Sequence, residues 1–336
     1  RVLITGGAGF IGSYVVVHLV KNNPSIQIFT LDKLDYCASV KNLEAVKDSP
    51  NHRLIRGDVC SPDLVNYVVE GEKIDTIIHF AAQTHVDNSF GNSISFTRTN
   101  CYGTHILLEA AKRVGDQVKR FIHISTDEVY GESSTDGDAF QEAAVLEPSN
   151  PYAASKAAAE LMAKAYFRSF KVPVIVTRGN NVFGPRQYPE KLIPKFISQM
   201  MRDLPLTVHG TGYTRRNYLY VTDVVSAIST ILFFAQPGQV INIGGTEELS
   251  VADIAEKVLT LFGRENERDR WITKTPDRNF NDKRYNIDSS KLIELGWKPE
   301  VDFTTGLNST LAWYKENQDY WENVEQALVA HPRLGN

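Results

Sequence analysis

Residues 2–12 read Val-Leu-Ile-Thr-Gly-Gly-Ala-Gly-Phe-Ile-Gly. A short apolar run breaks into glycines at Gly6, Gly9 and Gly12, and a helix-like stretch follows over Ile11–Lys21. Glycine at a tight strand-to-helix turn lets the backbone approach a pyrophosphate, and the helix start adds free N–H groups and a positive dipole end. Twenty residues after Gly12, Asp32 closes a second apolar run, Ile26–Leu31. A carboxylate there accepts ribose hydroxyls and repels a 2′-phosphate, which favours NAD over NADP. Lys33 beside it weakens that preference slightly. Strand, loop, helix and acid in the right order outweigh a chance glycine cluster. Phe10 and Ile11 belong to the same loop. Gly57-Asp58-Val59 ends a third strand, where Asp58 either meets an adenine amino group or simply turns the chain. Ala81 and Ala82 end a fourth, small enough for a cofactor to pass.

The rest of the first half repeats the pattern. His52–Arg56, Thr76–Phe80, Arg120–Ser125 and Val172–Arg178 are continuous apolar runs suited to a parallel sheet covered on both faces. Pro62–Glu70, Thr104–Val114 and Tyr152–Phe170 between them are helix-like. This alternation predicts an α/β fold: a Rossmann-like doubly wound parallel sheet, with a smaller mixed α/β substrate domain built from interleaved C-terminal segments. The expected division is 1–181 with 217–247 for the sheet domain, and 182–216 with 248–330 for the second, because prolines cluster from Pro185 to Pro205 while Tyr218–Val221 and Val240–Ile243 still read as strands. At 336 residues the chain is long enough for both.

Net charge is −4, without the basic excess of a nucleic-acid binder. Three scattered cysteines suggest no disulfide framework and no metal site, and fit a reducing compartment. No apolar run approaches the ~18 residues of a membrane span. The opening residues are already a strand, so a signal peptide is not expected and a cytoplasmic location is.

Tyr152 and Lys156 lie four apart at a helix start after Asn150-Pro151, so they share a face. An adjacent ammonium and a positive nicotinamide are expected to lower the phenol's pKa and make Tyr152 a base. Such a pair on an arbitrary helix is usually surface decoration; its place after a dinucleotide fold gives it weight. Arg120–Ser125 leads into Thr126-Asp127-Glu128, at the carboxyl end of a strand where open α/β sheets bind ligands. Thr126 can bond the oxygen that Tyr152 deprotonates. Asp127 and Glu128 could merely cap a turn, but at such a mouth they can divide acid and base roles.

These residues together resemble the extended short-chain dehydrogenase/reductases. Leu31–Cys37, Ala81–Asp87, Ser125–Gly131 and Asn181–Pro194 are similar to the nucleoside-diphosphate-glucose 4,6-dehydratases, within which Asp87–Ser93, Thr177–Asn181, Asn279–Tyr285 and His331-Pro332-Arg333 look closest to the UDP-glucose enzymes of plant and fungal rhamnose synthesis. The resemblance implies NAD bound beside Tyr152 and Lys156, and a nucleotide sugar, UDP-glucose or dTDP-glucose, held by His85, Asp87, Asn181, Lys191, Arg216, Asn242 and Arg278. His85 has an equally good reading as a structural histidine. Arg215 competes with Arg216; spacing to Asn217-Tyr218-Leu219-Tyr220 favours Arg216. The resemblance also implies a homodimer pairing the helices near Tyr102–Val114 and Tyr152–Phe170. A UDP-sugar 4-epimerase lacks the acid pair, and an NAD-sensing regulator needs none of Thr126, Asp127, Glu128, Tyr152 and Lys156.

Overall fold

The computed structural model describes residues 1–133, 137–277 and 280–329. Its strands are β1 (Val2–Thr5), β2 (Ile28–Asp32), β3 (His52–Arg56), β4 (Thr76–His79), β5 (Arg120–Thr126), β6 (Val174–Gly179), β7 (Asn181–Phe183), β8 (Leu206–His209), β9 (Arg215–Tyr220), β10 (Val240–Ile243), β11 (Glu248–Ser250) and β12 (Ile272–Thr275). Seven form one sheet in the order β10-β6-β5-β4-β1-β2-β3, and every pairing in it is parallel. The central strands β1 and β4 are buried throughout. One face packs on helices Phe10–Asn22 and Val221–Phe234 through Val16, Leu19, Ile228 and Ile231. The other packs on Pro62–Gly71, Gly103–Arg113 and Pro151–Phe170 through Val65, Leu107, Ala163 and Tyr166. Each such side chain contributes roughly 1.5–3 kcal/mol by leaving water, which is why continuous apolar runs, rather than alternating ones, specify these strands.

From β1 the chain winds outward through β2 and β3, then returns to β4 on the other side of β1. That reversal opens a crevice at the carboxyl ends of β1 and β4, the position where such sheets take ligands.

The second lobe surrounds a three-stranded sheet, β11-β9-β7, and a two-stranded one, β12-β8. Phe183, Tyr218, Phe303 and Leu307 lie in its core. Helix Val251–Leu261 starts at a capping box in which Ser250 Oγ accepts from Asp253 N–H at 3.0 Å and Asp253 Oδ2 from Ser250 N–H at 2.8 Å. The interleaving differs from the expected boundaries. β9 pairs with β7 and β11, not with the large sheet; it is buried between the two cores, Tyr218 packing into that of the small lobe and Leu219 into that of the large sheet. The chain returns at Val221, whose helix packs on Phe10–Asn22. Part of the last segment returns too. Leu292 and Trp297 lie in the sheet's core, and Trp297 Nε1 donates to Asp223 O at 3.0 Å and Ser226 Oγ at 2.9 Å.

Among the described residues no helix is long and apolar enough to cross a membrane, no His/Cys/Asp/Glu group could hold a metal, and Cys37, Cys60 and Cys101 are free thiols.

Candidate active site

One cleft runs from the glycine loop, across the ends of β1, β4, β5 and β6, to the small lobe. Gly6, Gly9, Phe10, Ile11, Gly12, Asp32, Asp58, Val59, Ala81 and Ala82 all line it. Gly6 has φ +69°, and a Cβ there would lie 2.6 Å from Ala81 N. A Cβ on Gly12 would collide with Gly6 O. The loop therefore needs glycine at both positions to bring its backbone to the cleft floor. Helix Phe10–Asn22 starts at Gly9 without a side-chain cap, leaving its first N–H groups for a phosphate. Asp32 is buried and accepts from Ala8 N–H at 2.9 Å and Leu34 N–H at 2.8 Å. Burial raises its pKa against those two bonds. Lys33 turns away onto Asp35 at 2.9 Å, so it does not offset the acid's preference for an unphosphorylated ribose. Asp58 Oδ1 accepts from Cys60 N–H at 2.8 Å and turns the chain while lining the cleft. This cradle fits a dinucleotide.

The chemical end is built where β5 meets helix Pro151–Phe170. Asn150 caps that helix, its Oδ1 accepting from Ala153 N–H at 2.8 Å, with Pro151 at the first helical position. The same Asn150 donates through Nδ2 to Glu128 Oε2 at 3.1 Å. In its first turn the Tyr152 phenol lies beside Thr126, which acts on it, and one turn further Lys156 Nζ donates to Ile124 O at 2.5 Å. Thr126, Glu128, Tyr152 and Lys156 line the cleft; Asp127 sits just behind its wall. Asp127 Oδ1 accepts from Thr126 Oγ1 at 3.1 Å and Oδ2 from Asn180 Nδ2 at 2.6 Å, and both partners face the cleft.

Electrostatics divides the two acids. Burial, then the neighbouring Glu128 charge, pushes the Asp127 carboxyl up to about 7 against its two hydrogen bonds. Asp127 thus holds a proton near neutrality while Glu128 faces the cleft from beside Tyr152, the pattern of a carboxyl pair with separate roles. The expectation for Tyr152 rests on Lys156 and on the charge of a bound nicotinamide together. The phenol's pKa is raised, by burial first and then by the Glu128 and Asp127 charges, against the effect of Thr126. Lys156 does not reverse this: its ammonium is directed at Ile124 O, and burial lowers its own pKa to about 8. The phenol is held protonated.

The sugar-side residues divide. His85, Asn181, Lys191 and Arg216 line the cleft. Lys191 Nζ also donates to Thr84 O at 2.7 Å, tying the small lobe to the loop after β4. Arg216 faces inward, 4.4 Å over the Tyr285 ring, while Arg215 pairs with Glu248 at 3.6 Å. Asp87 does not line the cleft; its charge acts on Glu190 instead. Asn242 is also corrected. It is fully buried, its Nδ2 donating to Phe140 O and Asp288 O at 3.0 Å each and its Oδ1 accepting from Tyr130 Oη at 2.8 Å. The scaffold uses the whole amide, leaving nothing for a diphosphate. Arg278, Asn279 and His331-Pro332-Arg333 lie outside the described residues.

Sequence reasoning missed the groups that hold the site together. Asn180 fixes Asp127. Asn100 accepts from Gln83 N–H at 2.7 Å and donates to Ser155 Oγ at 2.9 Å, joining the β4 loop to the Tyr152 helix. Glu190, buried in the cleft wall, accepts from Tyr36 Oη at 2.9 Å. Only Asn150 left a local signal, as an Asn-Pro helix start.

Residues 3–310 match the family model described as GDP-mannose 4,6 dehydratase. The trifunctional UDP-glucose 4,6-dehydratase/UDP-4-keto-6-deoxy-D-glucose 3,5-epimerase/UDP-4-keto-L-rhamnose-reductase of Arabidopsis thaliana is 52% identical over 99% of this chain, which spans only 50% of that protein's length. The dTDP-D-glucose 4,6-dehydratase of Homo sapiens is 48% identical over 99% of this chain and 95% of its own. Among solved structures, the dTDP-glucose 4,6-dehydratase of Streptomyces venezuelae with NAD bound has a TM-score of 0.91 at 38% identity, covering 96% of this chain and 99% of that one.

Proposed function

Because the chain belongs to the GDP-mannose 4,6 dehydratase family, we propose that it is an NAD-dependent hydro-lyase converting UDP-glucose to UDP-4-keto-6-deoxyglucose. The observation that carries this is the unequal carboxyl pair: Asp127 protonated near neutrality behind the wall, Glu128 in the cleft beside Tyr152.

NAD⁺ in the glycine-loop cradle would take the hydrogen from sugar C4 and return it at C6. Tyr152, beside Thr126, accepts the O4 proton. It must first release its own to solvent, which the positive charge of bound NAD⁺ favours. The new C4 ketone acidifies C5, and Glu128 removes that proton. Asp127 donates to the departing C6 hydroxyl, which leaves as water. Glu128 then returns a proton to C5. Asp127 regains a proton from solvent after the water leaves, which closes the cycle. Redox states balance and the net change is one water lost. Arg216 faces the diphosphate; His85, Asn181 and Lys191 surround the hexose. Arg278 is assigned to the diphosphate on resemblance.

Preference for uridine rests on the Arabidopsis thaliana relative's higher identity, 52% against 48% for the human dTDP-glucose enzyme. The enzyme works in the cytoplasm as a homodimer through the faces of Gly103–Arg113 and Pro151–Phe170, where Leu161, Phe170 and, just before the first helix, Tyr102 are exposed. The test is incubation with NAD⁺ and either UDP-glucose or dTDP-glucose. A product lighter by one water, with the larger kcat/KM for UDP-glucose, supports the reading. A higher kcat/KM for dTDP-glucose overturns the uridine preference, and an isomer of unchanged mass overturns dehydration.

A further inference from the structure

Behind the chemical end lies an ion pair that this mechanism does not use. Arg178 on β6 and Glu160 on the Tyr152 helix are both fully buried. Arg178 Nε donates to Glu160 Oε2 at 3.0 Å and Nη2 to Oε1 at 2.5 Å. Its guanidinium lies 4.5 Å over the Tyr130 ring, and Nη1 donates to Glu142 O at 3.1 Å. The pair therefore joins the helix of Tyr152 to the segment that carries Asp127 and Glu128. Desolvation cancels most of the attraction in such a pair, and apolar residues of the same volume hold a helix as well. Stability alone does not account for it.

Its position does. Tyr152, Lys156 and Glu160 recur every four residues, so they lie along one helix face. Lys156 is a buried ammonium with one backbone acceptor, Ile124 O. The neighbours it faces on the sheet are His79 on β4 and His123 on β5. Burial drives His79 down to about 3 and His123 well below its ordinary value, so both are neutral and offer no counter-charge. Glu160 is the carboxylate acting on Lys156. Arg178 fixes the Glu160 carboxylate in place through its two N–H bonds, with Lys164 Nζ at 3.6 Å from the more exposed side.

Resting on the function proposed above, we propose that Glu160 and Arg178 are positioning residues for C4 oxidation: Glu160 holds Lys156 as a cation beneath the reacting centre, and Arg178 holds Glu160.

The test isolates oxidation from elimination. A nucleoside-diphosphate 6-deoxyglucose has no C6 hydroxyl to lose, so Asp127 does not enter, and reduced cofactor formation is followed against pH. In the wild-type protein the rate falls on the alkaline side as Lys156 loses its proton. Glu160→Gln moves that limb down by about one pH unit, the scale of removing a nearby opposite charge. Arg178→Lys keeps a positive partner for Glu160 without the fork, and moves the limb less than Glu160→Gln does. Glu160→Gln/Arg178→Met keeps volume without stranding a buried charge, folds, and still shows the lowered limb. Rates that fall equally at every pH with the limb unmoved would make the pair merely structural and overturn the inference. A wild-type protein that oxidises no nucleotide sugar fails the functional reading instead.

Discussion

Asp127 shows how much a residue's surroundings decide. Two adjacent acids look equivalent in a sequence, yet Asp127 is enclosed by Thr126 and Asn180 while Glu128 reaches the cleft. With its carboxyl raised to about 7, Asp127 is protonated below that pH and ionised above it. The general acid is lost as pH rises, so kcat for dehydration should fall on the alkaline side of about 7, and Asp127→Asn should abolish that limb while cutting kcat by roughly 10²–10⁴-fold. Stability carries the same sign. The folded state binds this proton more tightly than the unfolded chain, so folding weakens between about pH 4, the ordinary carboxylate value, and pH 7. Denaturant midpoints should decline less over that window in Asp127→Asn; an unchanged slope would contradict the raised pKa. The acid pair was legible because it stands at a strand end. That the two acids divide their roles was read from the same place; what encloses Asp127 was not, since Asn180 lies 53 residues from it in sequence. The setting of Tyr152 was hidden for the same reason: helical spacing placed Lys156 near it, but only the fold directs the ammonium at Ile124 O.

At the scale of elements, the segment from β5 to helix Pro151–Phe170 carries the chemistry, and Asn150 sits at its hinge. Its two amide ends do two tasks, capping the helix and holding Glu128. Asn150→Ala should cost about 1 kcal/mol of stability through the cap. It should also lower kcat more than it changes KM, because Glu128 loses its alignment. Asn150→Ser keeps a capping oxygen but no amide N–H for Glu128, and should restore stability but not kcat; recovery of both would show that the Glu128 contact is idle. Strands and helices of the large sheet were readable because burial on both faces leaves continuous apolar runs, with ends within about two residues of those expected. β9 was misassigned because a strand buried between two cores, with Tyr218 in one and Leu219 in the other, is as apolar as a central one. Asn242 was misassigned for a related reason: an asparagine at a strand end suits a ligand or a scaffold equally, and Tyr130, Phe140 and Asp288 had already claimed it.

Across the whole molecule, the small lobe and the C-terminal segment close over the sheet's crevice. Tyr320 Oη donates to Asn42 Oδ1 at 2.6 Å, and Asn42 Nδ2 donates to Ala8 O in the glycine loop at 2.8 Å. A residue near the end of the described chain thus supports the cofactor cradle. Tyr320→Phe removes one hydrogen bond, worth about 1 kcal/mol, and should weaken NAD⁺ binding by up to roughly tenfold. The substrate KM at saturating NAD⁺ should stay unchanged. Calorimetry of NAD⁺ binding checks this, and equal affinities would remove Tyr320 from the cradle. Leu161 is 56% exposed on the helix that carries Tyr152. Leu161→Asp should convert the proposed homodimer to a monomer in sedimentation velocity; a wild-type protein that sediments as a monomer would refute that assembly.

Elimination by a carboxylate beside the tyrosine is the step that separates this chain's proposed chemistry from plain sugar oxidation. Mass spectrometry of the nucleotide sugar after incubation with wild-type protein and with Glu128→Gln tests it most directly. The wild type should yield a product lighter by one water, and Glu128→Gln should yield it at least ~100-fold more slowly while still binding substrate and NAD⁺. A Glu128→Gln protein that releases water at the wild-type rate would contradict the account.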